Sequence, residues 1–91
     1  MFEKNMINGN QNPLAWVQLI SELEDARDHL GSLIEEMMTN GAIDVESYAV
    51  DIAHIYAHLN RAWNTRNIKD ELTEDQWENG RSFPTDIEPI A

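Results

Sequence analysis

The sequence predicts an all-α protein built on an antiparallel helical hairpin that pairs with a second copy into a homodimeric four-helix bundle. Apolar residues recur at helical spacing in two segments, about 13–39 and about 44–67. The connection between these segments is short and contains Gly41, so the two helices are expected to fold back on each other. Each apolar arc is wider than one partner helix covers.

The chain of 91 residues fits a single domain. Residues 1–11 are rich in Asn and Gly without a period, which predicts a flexible N-terminal arm. Residues 12–80 are expected to form the helical hairpin domain. The last segment, 81–91, contains two prolines and is expected to be an extended C-terminal tail.

The first helix is expected to begin at Asn12-Pro13, with Asn12 as the N-cap and Pro13 in the first helical turn. Its apolar residues follow a coiled-coil-like spacing of 4, 3, 4, 3 and 4. They are Leu19, Leu23, Ala26, Leu30, Leu33 and Met37. Gly41 suits the left-handed conformation that closes such a helix.

The second helix is expected to begin at Asp44, a good N-cap. Its apolar seam consists of Val45, Tyr48, Ile52, Ile55, Leu59 and Ala62. Folding the hairpin about Gly41 places Arg27 opposite Tyr56, which predicts one polar layer inside the seam.

A surface for a partner protein is predicted on the second helix. Its reverse side is less polar than that of the first helix, which favours contact with another molecule. The predicted contact residues are Val50, Ala53, Ala57, Arg61, Trp63 and Arg66.

A short third helix is expected over about 74–79, because Thr73 and Gln76 have the spacing of a capping box. Trp77 is expected to dock this helix on the hairpin. In the tail, Phe83 and Ile87 are the apolar side chains that can anchor it.

Two long helices cannot cover two wide apolar arcs by themselves, whereas two hairpins packed together can. The predicted architecture is therefore the homodimer. The alternative is a monomer whose tail wraps across the open face.

The amino-acid composition excludes some classes of partner and of chemistry. Six basic and 17 acidic residues give a net charge of −11, which argues against nucleic acids and anionic membranes as partners. The absence of cysteine excludes disulfides, Cys-ligated zinc and thiol catalysis. No apolar run has the length of a signal or membrane segment, so a cytoplasmic location is expected.

One constellation has the spacing of metal ligands. Asp51, His54 and His58 lie at i, i+3 and i+7 on one side of the second helix, as ligands do in bundle metal sites. The first helix offers ligands at the same relative spacing: Glu22, Asp25 and His29. Both sets lie away from the apolar seams, where bundle sites normally sit, so solvated polar faces are the favoured interpretation.

The end of the second helix carries the only basic polar patch, around Arg61, Asn64 and Arg66. It can hold a phosphate, but a helix C-terminus repels anions. Pairing of this patch with the acidic tail is the favoured alternative.

Three functions follow from these patterns. The first is a non-catalytic protein that acts through protein–protein interaction. The second is a metal-dependent bundle enzyme that uses Asp51, His54 and His58, with Asp25 and His29 as further ligands. The third is an acidic antagonist that imitates DNA and captures a basic protein. Catalysis is the less favoured class, because no serine has the context of a nucleophile and no cofactor motif other than a divalent-metal pattern is present.

Overall fold

Residues 6–91 are described by the computed structural model, and the regular structure within them is helical. Helix α1 spans Pro13–Asn40, α2 spans Val45–Asn64 and α3 spans Glu74–Gly80. Helices α1 and α2 pack against each other, and α3 packs on α2. The predicted hairpin and the short third helix are therefore confirmed.

The start of α1 differs in detail from the prediction. Pro13 lies in the first turn, but the side chain of Asn12 makes no capping hydrogen bond. Instead, Asn8 organises a turn just before the helix: its Oδ1 accepts hydrogen bonds from the backbone N–H groups of Asn10 (2.8 Å) and Gln11 (3.1 Å). This turn lies against Trp16, since a Cβ atom added to Gly9 would come within 2.7 Å of the Trp16 ring. The rest of the predicted flexible arm, residues 1–5, lies outside the described residues.

The connection between α1 and α2 follows the sequence closely. Gly41 has φ 70°, and its N–H donates to the carbonyl of Met37 at 2.9 Å, as in a left-handed helix cap. Asp44 then caps α2: its Oδ1 accepts from the N–H of Ser47 at 2.8 Å, and its Oδ2 accepts from the Ser47 hydroxyl at 2.7 Å. Both predicted caps are confirmed.

Helix α2 ends at Asn64, three residues before the predicted end. The hydroxyl of Thr65 donates to the carbonyl of Arg61 at 2.7 Å, and the backbone N–H of Thr65 donates to the same oxygen. The next N–H, that of Arg66, donates to the carbonyl of Trp63 at 3.3 Å. This bond spans three residues rather than four, so the α-helical ladder ends here. The chain then turns toward α3, whose capping box between Thr73 and Gln76 is present as predicted.

The hydrophobic core is small. Among the described residues, the buried apolar side chains are Ala15, Leu19, Ala26, Leu33 and Ile55. Within residues 6–91, no large side chain is fully buried. Packing α1 on α2 therefore covers only one side of the predicted seam.

The predicted polar layer at Arg27 is wrong. The Arg27 side chain is 72% exposed and pairs at the surface with Glu24 (3.5 Å) and Asp28 (3.7 Å). The buried line of α1 runs through Ala26 and Leu33. One residue further along the helix turns the side chain by about 100°, which carries Arg27 out to solvent.

The C-terminal tail docks along the outer side of α2. The amide of Asn60 donates to the carbonyl of Arg81 at 2.9 Å, and the amide of Asn64 donates to the carbonyls of Gly80 (2.8 Å) and Ser82 (2.7 Å). The Phe83 ring meets Tyr56 edge-on at 5.0 Å. Phe83 contacts Tyr56 as a tail anchor would, but it remains 67% exposed, and Ile87 remains 46% exposed. The tail is therefore held mainly by the hydrogen bonds of Asn60 and Asn64.

The basic end of α2 pairs with this tail, as the favoured interpretation predicted. The indole N–H of Trp63 donates to Asp86 at 2.8 Å, and the Arg66 guanidinium, stacked on Trp63 at 3.7 Å, reaches Asp86 at 3.4 Å. The predicted phosphate-binding patch at this end of α2 therefore already uses Trp63 and Arg66 for contacts within the chain.

Protonation of Asp44 is expected to weaken α2. Hydrogen bonds from the backbone and side chain of Ser47 hold the pKa of Asp44 below its ordinary value of 3.8. A carboxyl whose folded pKa is lowered contributes stability that is present above the unfolded value and is lost as pH falls through the folded value. Urea denaturation from pH 6 to pH 2 should therefore show a component of acid destabilisation that Asp44→Asn lacks, because Asn caps helices without titrating. Parallel pH profiles for the two proteins would contradict this assignment.

Candidate functional site: a histidine cluster over a buried ion pair

All three histidines of the chain meet at one edge of the α1–α2 interface. The ring centroids of His29 and His54 are 4.1 Å apart, those of His54 and His58 are 4.8 Å apart, and those of His29 and His58 are 5.3 Å apart. One nitrogen from each ring can be chosen so that all three lie within 4.8 Å of one another. We call this side of the hairpin the histidine edge.

Helix geometry brings these rings together. His54 and His58 are four residues apart and therefore share one face of α2. His29 stands on the flank of α1 that the antiparallel packing places beside them. Glu22 lies on the same flank of α1, two turns before His29. It contacts His58 and Arg61, which lie one and two turns after His54 on α2.

Glu22 is the centre of a polar network beneath the rings. Its carboxylate accepts a hydrogen bond from Nδ1 of His58 at 2.7 Å and from Nη1 of Arg61 at 3.2 and 3.3 Å. The side chains of Glu22 and His58 are only 14% and 13% exposed. Because an ionised carboxylate only accepts, Nδ1 of His58 must carry the proton in this contact.

Arg61 joins this network to α3. Its side chain is 4% exposed, its Nε donates to the carbonyl of Trp77 at 3.0 Å, and its guanidinium lies 4.0 Å from the centre of the Trp77 ring. A buried guanidinium is tolerated only when it is paired and hydrogen-bonded, and Glu22 and Trp77 supply both conditions. The predicted docking of Trp77 on the hairpin is thus confirmed, with Arg61 as its platform.

The second ring nitrogen of His58, Nε2, is buried and has no hydrogen-bond partner among the described residues. Since Nδ1 donates to Glu22, Nε2 of the neutral ring carries no proton, and its lone pair accepts no hydrogen bond from the described residues. A buried acceptor without a hydrogen bond destabilises the folded chain, and a ligand that binds this nitrogen would offset that cost.

The environment of His54 disfavours its charged form. Loss of contact with water lowers the pKa of His54 below its ordinary value, and positive charge on His29, His58 and Arg61 lowers it further. The carboxylate of Asp25 acts in the opposite direction. Although His54 is exposed as a whole, the neighbouring rings exclude water from one side of it.

The predicted ligands are divided by the structure. His54 and His58 lie together, and His29, which the sequence offered from the first helix, joins them. Asp51 is not part of this group. It lies one turn before His54 and lines an open groove with Asp44 and Ser47. That any of these residues binds a metal stays a prediction.

The predicted partner surface is also divided. Val50 and Ala53 are exposed, and Ala53 and Ala57 line a groove between α2 and the start of the tail. Trp63 and Arg66 are occupied by Asp86, as described above. Arg61 is buried within the chain, where its contacts are with Glu22 and Trp77.

No described helix is both long and apolar enough to cross a lipid bilayer. No protein-family model, curated protein or solved structure gives a significant match to the chain.

Removing the guanidinium of Arg61 should cost far more stability than removing that of a comparable surface arginine. Arg61→Ala leaves the Glu22 carboxylate without its buried counter-charge, and breaking such a pair costs about 3 kcal/mol or more. Arg66→Ala is the matched control: it also removes an arginine stacked on a tryptophan, but its ion pair with Asp86 is exposed and worth about 1 kcal/mol at most. Urea denaturation at one protein concentration measures both, and equal losses would contradict a structural role for the network.

Proposed function

We propose that this chain is a non-catalytic helical protein that pairs with a second copy of itself and works by binding another protein. The observation that carries the pairing is a set of half-exposed apolar side chains on one flank of the hairpin. We call this set the apolar edge. Its members are Ile20, Leu23, Leu30, Ile34, Met37, Tyr48 and Leu59, each 38–51% exposed.

The apolar edge lies opposite the histidine edge. On α1, the centre of the exposed apolar residues is rotated by about 125° from His29 at 100° per residue. On α2, Tyr48 and Leu59 are rotated by about 110° from the two histidines. Because the histidines of the two helices face each other, the apolar residues of the two helices share the other flank.

The surface area of the chain supports a partner. The chain exposes 7518 Å², whereas a compact monomer of its mass exposes about 5,400 Å². The difference, about 2,000 Å², exceeds the roughly 800 Å² that each partner contributes to a standard stable interface. The chain is also elongated, with extents of 53 × 30 × 23 Å.

The tail does not supply this cover. Its described contacts run along the outer side of α2, through Asn60, Asn64 and Trp63. Leu23, Leu30 and Ile34 of α1 remain about half exposed with the tail in place. The structure therefore favours the second copy over the monomer with a wrapping tail.

A second copy fits the apolar edge for two reasons. Two identical edges related by a twofold axis are self-complementary and yield a four-helix bundle. The carboxylates of α1 also lie away from the edge, on the outer face that carries Asp25, Asp28 and Glu35, so the charge of each chain points out of the interface. Self-repulsion of two chains at −11 is reduced accordingly.

Binding of another protein is assigned to the surfaces that a bundle leaves open. These are the acidic outer face of α1 and the exposed reverse side of α2 around Val50 and Ala53. The imitation of DNA and the metal-dependent enzyme both stay predictions, because neither outward carboxylates nor clustered histidines specify a captured protein or a reaction.

The pairing is tested by sedimentation equilibrium at tens of micromolar. The proposal predicts a mass of two chains, each of 10.5 kDa. Leu30→Glu should shift the equilibrium toward one chain, because it places a charge at the centre of the apolar edge. Val50→Glu is the matched control, since Val50 is 68% exposed on the reverse side of α2, and it should leave the two-chain mass unchanged. A one-chain mass for the natural sequence contradicts the proposal.

A further inference from the structure

We propose that the histidine edge binds one divalent metal ion of the Zn²⁺, Ni²⁺ and Cu²⁺ class, with His29, His54 and His58 as its protein ligands. This inference does not rest on the pairing of two chains. It rests on the convergence of three imidazoles from two helices and on the way that one of them is held.

The donor atoms are nearly in place. Nitrogens bound to a tetrahedral Zn²⁺ at about 2.0–2.1 Å lie about 3.4 Å from one another. One nitrogen from each of the three rings can already be chosen so that all three lie within 4.8 Å of one another. His29 and His54 face solvent, so small side-chain rotations can close the remaining distance without displacing either helix.

His58 is oriented as a metal ligand. Glu22 holds its Nδ1 at 2.7 Å, and its buried Nε2 has no hydrogen-bond partner among the described residues. A histidine ligand typically donates its other ring nitrogen to a carboxylate in this way, which fixes the ring and raises its basicity. Arg61, which holds Glu22 in turn, completes the support.

The donor set selects the class of ion. Neutral imidazoles suit Zn²⁺, Ni²⁺ and Cu²⁺, whereas Mg²⁺ and Ca²⁺ prefer oxygen ligands. Three protein ligands leave one coordination position for water.

The experiment is a calorimetric titration of the chelator-treated full chain with Zn²⁺ and, separately, with Mg²⁺. The proposal predicts one Zn²⁺ per chain and no comparable binding of Mg²⁺. His29→Gln and His54→Gln alter exposed residues, so they should keep the helical circular dichroism of the natural chain and each weaken Zn²⁺ binding at least tenfold. Glu22→Gln should weaken binding by about 10- to 100-fold, the usual effect of losing a carboxylate that supports a histidine ligand.

Asp51→Asn is the matched control, because Asp51 neighbours the cluster in sequence but lies outside it. It should leave Zn²⁺ binding unchanged. The proposal is overturned if Zn²⁺ does not bind, if Mg²⁺ binds equally well, or if Asp51→Asn weakens binding as much as His29→Gln does. Zn²⁺-induced shifts of the imidazole ¹⁵N resonances provide a second measurement, and they should appear in all three histidines of each chain.

Discussion

The ion pair between Glu22 and Arg61 is the contact on which the rest of the structure depends. It is the point at which all three helices meet, since Glu22 belongs to α1, Arg61 to α2, and the carbonyl and ring of Trp77 to α3. In a chain with so few buried apolar residues, a buried guanidinium strongly disfavours any arrangement that leaves it unpaired. Sliding α1 along α2 by one turn separates the two charges, so we interpret the pair chiefly as a device that fixes the register of the hairpin.

The same register gives the hairpin two unlike edges. On one side, it aligns Glu22 with His58 and Arg61, and His29 with His54, which concentrates the polar groups of the interface there. On the other side it aligns half-exposed leucine, isoleucine and aromatic side chains. The way α1 and α2 are rotated against each other thus places the histidine edge, suited to ion binding, and the apolar edge, suited to a second copy of the chain, on opposite sides of the hairpin.

Local sequence signals predicted the elements well. Asp44, Gly41 and the pair Thr73 and Gln76 act through hydrogen bonds to residues a few positions away, so a short window contains both partners. The end of α2 differs from the prediction because the N–H of Arg66 donates to the carbonyl of Trp63, three residues back, and the helical ladder stops there. The start of α1 differs because Asn8, not Asn12, supplies the side-chain oxygen that organises the turn before the helix.

The candidate site was predicted only in part, since its contacts between α1 and α2 join residues 25 to 39 positions apart. The spacing of each histidine set places it off the apolar seam of its own helix, which predicts a solvated flank. The antiparallel packing nevertheless brings these two flanks together, so His29 of α1 lies beside His54 and His58 of α2. The sequence pattern predicts Arg27 in the interior and Arg61 on the surface, but the carboxylate of Glu22, far away in sequence, decides which arginine is buried. One signal was present: Glu22 and His29 are seven residues apart, as are His54 and Arg61, and an antiparallel crossing aligns such pairs.

The central claim is that Glu22 holds His58 through Nδ1 and leaves Nε2 as an available electron pair. Long-range ¹H–¹⁵N spectra of the imidazole rings measure this directly in the metal-free protein at about pH 8, well above the ordinary histidine pKa. The structure predicts that His58 exists as the tautomer protonated at Nδ1, with an ¹⁵N shift at Nε2 typical of an unprotonated nitrogen. A His58 ring protonated at Nε2 would contradict the claim, because its Nδ1 could not donate to the Glu22 carboxylate.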